Sequence, residues 1–168
     1  MVGGGISGLS CGIRLLERGV EVELWAAELS PHTTADVAPA FWYPFLAGPP
    51  QRVAAWCARS YPVFRSLAED PETGVTPRET VELFLGETPD PAWASVVDGF
   101  RHLGADERPP GRGDGWSFRS LVIETPRYMP WLRRRFEALG GRIETRALDT
   151  LDDALEACPT VVNTTGLG

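Results

Sequence analysis

The chain has 168 residues, 43% of them hydrophobic and 23% charged, an ordinary globular balance that allows one sizeable core and one domain, or one and a part. Its net charge of −7 excludes a dedicated nucleic-acid role and an anionic membrane surface, because the repulsion acts at long range. Cys11, Cys57 and Cys158 show neither C-x-x-C spacing nor an even count, and no apolar run reaches the roughly 18 residues that span a bilayer, so a reduced, cytoplasmic setting without a membrane is expected.

The chain opens on a turn. Gly3, Gly5 and Gly8 have G-x-G-x-x-G spacing directly ahead of a helical pattern. In such a turn the first glycine permits the bend, the second leaves room for a pyrophosphate against the backbone, and the third lets the helix pack closely on its strand. The bare N–H groups at the start of the helix then face the phosphates. Glycine triplets also occur in ordinary turns, so the context decides. Residues 10–18 place Cys11, Ile13, Leu15 and Leu16 at helical spacing, Gly19 ends the helix, and residues 20–25 alternate as a strand. Glu28 falls 20 residues after Gly8, where a dinucleotide fold keeps a carboxylate for the ribose hydroxyls; a solvated loop acid is the other reading. Only Met1 and Val2 precede Gly3, where such a fold needs a strand of about five residues. The chain is therefore expected to be a fragment, or to have its start assigned too far downstream.

Residues 30–50 hold too many prolines and too little periodicity for a regular element. Thr33 and Thr34 are candidate donors to phosphate oxygens, and Phe41, Trp42, Tyr43 and Phe45 supply an apolar wall suited to a flat ring or a set of packing aromatics. Residues 51–69 carry Val53, Trp56, Cys57, Tyr61, Phe64 and Leu67 on one helical face interrupted by Pro62, a kinked helix or two short ones. A strand is expected over 80–86, a helical segment from Pro89 through Val97, a loop over 100–113 and a buried strand over 116–124. Thr125-Pro126 marks a helix start, with Pro130 requiring a first full turn near Arg127 and Gly140-Gly141 closing the helix. Arg133-Arg134-Arg135 within it is a short solvated basic face. Strands over 142–148 and 160–163 flank a short helix over 152–157. This alternation points to a parallel α/β sheet with an inserted antiparallel part. His32 and His102 lack a carboxylate or cysteine cluster at ligand spacing, so no metal site is read, and no nucleophile elbow or Ser-His-Asp order appears.

Four blocks carry a resemblance. Residues 33–45, Thr-Thr-Ala-Asp-Val-Ala-Pro-Ala-Phe-Trp-Tyr-Pro-Phe, placed this far behind the glycine turn, resemble the flavin-contacting loop of the D-amino-acid oxidase family. Gly113-Asp-Gly-Trp116 resembles that family's Gly-x-Gly-Trp segment, Tyr128-Met-Pro-Trp-Leu132 its next helix, and Val161-Val-Asn-Thr-Thr-Gly166 its Val-x-Asn-Cys-Thr-Gly strand end. The order holds from Gly3 to Gly168. Departures are Ala27 in place of a frequent acid, Pro39 in place of a small residue and Thr164 in place of the cysteine.

The resemblance implies a Rossmann-like FAD-binding domain over 1–44 and 126–168 and a portion of an inserted antiparallel substrate domain over 45–125. It implies FAD as cofactor, with Gly3, Gly5, Ile6, Ser7 and Gly8 on the pyrophosphate, Glu28 on ribose, and Thr33 and Thr34 on phosphate or ribityl oxygens. The backbone at Ala40 and Phe41 would meet the flavin ring, and Leu148 and Thr165 would lie on the adenosine and phosphate side. The implied reaction oxidises a D-amino acid to a 2-oxo acid and ammonia while molecular oxygen becomes hydrogen peroxide. The family's substrate-pairing arginine and tyrosines come from beyond the position that Gly168 matches, so no catalytic residue is assigned and an inactive fragment is expected. A non-catalytic nucleotide-binding remnant and an FAD-dependent glycine or sarcosine type oxidase are the alternatives; a nicotinamide-dependent dehydrogenase fits the glycine turn but leaves residues 33–45 unexplained. The segment at Val161-Val162 is expected to lack its neighbour strand and to leave an open sheet edge. Oligomeric state is not legible.

Overall fold

The computed structural model describes residues 1–38 and 40–166, so the departure at Pro39 and the last two residues of the resemblance, Leu167 and Gly168, lie outside the described residues. In chain order the elements are α1 (Ile6–Leu16), β1 (Glu23–Ala26), α2 (Thr34–Val37), β2 (Ala40–Phe41), α3 (Pro50–Leu67), β3 (Val75–Phe84), β4 (Asp98–His102), β5 (Asp114–Ile123), α4 (Thr125–Ala138), β6 (Arg142–Thr145) and α5 (Asp152–Ala157). Short 3-10 turns occupy Pro71–Thr73 and Ala105–Glu107. Two compact units result, Met1–Pro39 with Glu124–Gly168, and Ala40–Ile123. No helix among the described residues is long and apolar enough to cross a membrane.

The first unit is a parallel sheet. β1 and β6 pair in register from Glu23↔Arg142 to Ala26↔Thr145. Val2 extends the sheet, bridging Trp25 on one side and Asn163 on the other, both in parallel. Gly3 N donates to Trp25 O at 2.8 Å, Val2 N to Val162 O at 2.9 Å, and Thr164 N to Val2 O at 2.8 Å. This corrects the expected open edge: Val162 and Thr164 are tied to Val2. It also explains why residues 160–163 form a bridge and no strand. Their partner is a single residue, because Gly3 turns away at φ +110°.

α1 and α4 pack together through a glycine on one and a phenylalanine on the other. A Cβ at Gly12 would fall 2.5 Å from a Phe136 ring carbon, and one at Gly141 2.3 Å from the same ring. Phe136 is fully buried there, with Leu9, Ile13, Met129 and Leu132 buried on the two helices. Glu17 ties the helices at the surface, accepting from Arg135 at 2.6 Å and Arg14 at 2.7 Å. The hydrogen bond from Arg135, then that from Arg14, hold its carboxyl below the usual range. Within the basic run, Arg133 pairs with Glu137. α4 starts at Thr125, as the Thr125-Pro126 pair predicts, but its first turn does not wait for Arg127, since Arg127 N and Tyr128 N both donate to Glu124 O at 2.9 Å. Pro130 then sits inside the helix, which forgoes one backbone hydrogen bond to do so.

The second unit is antiparallel and centred on β5. β3 pairs with all ten of its residues, Val75↔Ile123 through Phe84↔Asp114, while β2 and β4 share the opposite edge. Trp93 is the hub of its core: the rings of Phe118, Tyr43, Trp42 and Trp116 stand 5.0, 5.5, 6.0 and 6.0 Å away, mostly edge to face. Two elements differ from the sequence reading. Residues 89–97 form no helix: turns cover 92–96, because Pro89 and Pro91 interrupt the backbone ladder and Trp93 is drawn into the core. Residues 98–102 form strand β4, which overlaps the start of the loop expected over 100–113; a register shift between Asp98 and Arg101, with Gly99 at φ +70°, breaks the two-residue alternation that marks a strand. α3 is one helix with Pro62 inside it.

Phe136→Ala should remove about 3–5 kcal/mol of stability, read as a lower urea midpoint, because the two facing glycines offer no side chain to fill the hole.

Candidate cofactor site

In a parallel sheet every strand ends on the same side, so the segments leaving the strands collect along one edge. Gly3 comes directly after Val2, Glu28 after β1, Leu148 after β6, and Thr165 after Asn163. The structure therefore brings four of the sequence-derived positions to one carboxyl edge of the first unit. The N-terminus of α1 opens on that same edge.

The glycine turn is built by contact. A Cβ at Gly8 would stand 2.0 Å from Gly3 O and 2.8 Å from Thr164 Oγ1; one at Gly3 would stand 2.5 Å from Thr164 O. A Cβ at Gly4 would meet the Leu29 side chain at 2.7 Å and Glu28 O at 3.2 Å. Neighbouring atoms fill each of these places, and only hydrogen fits. Gly5 is different. It is the N-cap of α1 at φ −77°, ψ −173°, a conformation open to any residue, and a Cβ there would meet nothing within 4 Å. Sterics within the chain do not require a glycine at this position; an approaching group in front of it would. No side chain caps the helix, so the N–H groups of the first turn face outward with the positive end of the helix dipole. Ser7 is exposed there and Ile6 half-buried. This cradle fits a pyrophosphate.

Thr164 is a residue whose part sequence reasoning missed, marking it only as a departure from the family pattern. Its hydroxyl donates to Val2 O at 2.8 Å, with Gly3 O at 3.2 Å as a second acceptor, and so clamps the strand that feeds the turn. A cysteine in this place would make weaker bonds. Its sign in the sequence is a hydroxyl directly after a strand opposite the glycine turn. Thr165 N and Oγ1 both donate to Asn163 Oδ1, at 3.1 and 3.0 Å, leaving the threonine exposed at the edge.

Asp36 is a second residue missed. Its carboxylate accepts from Ser30 Oγ at 2.5 Å, Thr33 Oγ1 at 2.6 Å and Thr33 N at 2.9 Å, the reach-back of a capping box legible as Thr33-x-x-Asp36. Burial pushes this carboxyl up, but the hydrogen bonds from Ser30 and Thr33 outweigh it and leave the pKa lowered. The Thr33 hydroxyl proton is committed to Asp36, whereas Thr34 opens α2 and is exposed. Thr125 Oγ1 fixes this corner through Asp36 O at 3.1 Å. Leu148 packs half-buried against Val2, Trp25 and Ala154, so its side chain belongs to the core and its backbone to the edge. Glu28 is exposed. Ala40 and Phe41 lie in the second unit, paired with Ile123 and Val122; Phe41 is half-exposed and stacks on Tyr43 at 5.6 Å.

The model of the DAO family, FAD dependent oxidoreductases, matches residues 1–168. The chain is 44% identical over 168 residues to a D-amino-acid oxidase from Rubrobacter xylanophilus, covering 99% of this chain and 52% of that protein. It is 38% identical to a D-amino-acid oxidase from Dictyostelium discoideum, covering 100% of this chain and 50% of that protein. The chain thus spans about half the length of the curated relatives it matches. Among solved structures, L-amino acid deaminase from Proteus myxofaciens in complex with anthranilate superposes with a TM-score of 0.64 at 17% identity, over 84% of this chain and 36% of that one, a likeness of fold.

Thr164→Val should cost about 1 kcal/mol by leaving the Val2 and Gly3 carbonyls without the hydroxyl, and Thr164→Ser close to nothing; thermal unfolding of the two variants separates the hydroxyl from the methyl. Gly8→Ala should cost more, about 3 kcal/mol, since backbone must move.

Proposed function

Because the chain belongs to the family of FAD-dependent oxidoreductases, we propose that it holds the cofactor of a D-amino-acid oxidase, an enzyme converting D-amino acids to 2-oxo acids, ammonia and hydrogen peroxide with molecular oxygen. Gly5 carries the reading: a glycine in an ordinary conformation, facing open space at an uncapped helix N-terminus, suits a chain that keeps room for pyrophosphate. Gly3, Ile6, Ser7 and Gly8 would complete that contact, and Thr165 would lie beside the phosphates. Glu28 would accept from ribose hydroxyls, taking the part that Ala27 cannot. Leu148 would offer backbone to the adenosine, and Thr33 and Thr34 would meet phosphate or ribityl oxygens, Thr33 by giving up its bond to Asp36. Ala40 and Phe41 would present backbone to the flavin ring.

Bound FAD supplies the two-electron acceptor for oxidation at the substrate α-carbon. The share of these residues is binding and orientation, and none is assigned a catalytic role. The portion over 45–125 is read as part of a substrate domain. The net charge of −7 and three free cysteines favour a cytoplasmic protein without a nucleic-acid or membrane partner.

An anaerobic FAD titration of the 168-residue chain, followed by D-alanine, tests the reading. Saturable binding with no bleaching is expected. Gly5→Ala should lower FAD affinity at least about tenfold, or 1.4 kcal/mol, while unfolding stability changes by no more than about 1 kcal/mol. An unchanged affinity in that variant would sink the assignment of the cradle.

A further inference from the structure

The second unit carries a cluster that the cofactor reading does not use. An open cleft of about 710 Å³ is lined by Glu87, Asp90, His102, Arg108 and Asp114, among others. His102, at the end of β4, has a carboxylate oxygen on each ring nitrogen: Asp90 Oδ1 lies 2.7 Å from Nε2 and Asp114 Oδ1 3.0 Å from Nδ1. An ionised carboxylate only accepts, so both contacts are hydrogen bonds only when both nitrogens carry protons. A neutral imidazole has one N–H. One of the two carboxylates must then face a lone pair.

The two are not equivalent. Asp114 is buried and also accepts from Thr88 N at 3.0 Å and Gly115 N at 2.8 Å, so it is fixed whatever the histidine does. Asp90 has a side chain 64% exposed, and water can replace the imidazole there. We propose that His102 is a proton-operated latch: as imidazolium it holds the segment bearing Asp90 to the start of β5 in the wall of the cleft, and as neutral imidazole it keeps Asp114 and releases Asp90.

The charges facing His102 come from each neighbouring segment. Asp90 and Glu87 stand on the segment after β3, Asp114 on β5, and Arg108 on the segment after the second 3-10 turn. Arg101, on β4 itself, is bonded to Glu107 at 2.7 Å by two N–H groups. The rings of Phe100 and Trp116 stand 6.1 and 6.5 Å away. The bond to Asp90, then that to Asp114, raise the His102 pKa, while Thr88 N, then His102, hold the Asp114 pKa at about 2. A raised folded pKa means that the latch contributes stability below the ordinary histidine value, about 6.5, and that this is lost as pH rises through the raised one. Asp114 stays ionised throughout that window. The link between Asp90 and His102 in the cleft wall is therefore held in mild acid and released toward alkaline pH.

Nitrogen-15 NMR of the two histidines, assigned with His102→Gln, reads both the midpoint and the tautomer. The latch predicts an imidazolium at pH 6.5, a neutral form protonated on Nδ1, and amide shifts at Asp90 and Ala92 that track the same midpoint. Asp90→Asn, at an exposed position, should lower the midpoint and abolish those shifts. A His102 already neutral at pH 6.5, a neutral form protonated on Nε2, or an unmoved midpoint in Asp90→Asn overturns the proposal.

Discussion

The approach of Gly8 to the carbonyl of Gly3 sets the geometry of the first unit. With a notional Cβ 2.0 Å from that oxygen, the first turn of α1 lies directly on the chain leaving Val2. The turn is held from below by Thr164, whose hydroxyl and N–H both end on the same short stretch of backbone. One residue of strand, two bridges and one hydroxyl are enough to place the helix N-terminus at the carboxyl edge of the sheet. The residues gathered there, Glu28, Leu148 and Thr165, owe their position to strands that run parallel and end together. Their side chains differ in kind because the sheet orders backbone, and the edge offers backbone first.

The second unit begins and ends on one pair of strands. Ala40, its first residue, pairs directly with Ile123, its last, so the chain enters and leaves at one place on adjacent antiparallel strands. Its core is self-sufficient. Trp93 brings together rings from β4, β5 and the residues directly after β2, Trp42 Nε1 donates to Ser60 Oγ at 2.9 Å, and Ser120 Oγ donates to Trp42 O at 2.6 Å. Tyr61 adds a cross-link, donating to Arg119 O at 2.9 Å while accepting from Asp98 N at 3.2 Å. α3 is thereby fastened to β5 and to the first residue of β4 by one phenol.

Elements that carry their own order are legible in the sequence, and those ordered by a distant partner are not. α1, α4, β5 and α5 belong to the first kind, with apolar periodicity and Gly or Pro at the ends, and their expected bounds lie in place or within four residues. β3 begins five residues before its visible alternation, because Thr76, Pro77, Arg78 and Glu79 are positioned by pairing with β5 and not by burial. β4 is hidden by its bulge, and residues 89–97 look helical because their apolar spacing reflects aromatic packing in a turn. Of the candidate site, the glycines and Glu28 are visible from spacing alone. Thr164 and Asp36 are not, since each acts through main-chain atoms of distant or preceding residues; only the Thr33-x-x-Asp36 box gives a local sign. The Leu148 side chain goes to the core because Trp25 and Val2 leave an apolar face beside it.

The pairing of Val2 with Asn163 spans nearly the whole described chain, and this orders events during synthesis. At about 5–20 residues per second a ribosome needs on the order of 10–30 s to make the intervening length. Until then the glycine turn has no clamp, and Val2 can meet only β1. The antiparallel unit, whose strands all lie between residues 40 and 123, is complete well before that. The antiparallel unit is thus able to pair its strands on the nascent chain before Asn163 and Thr164 emerge to close on Val2.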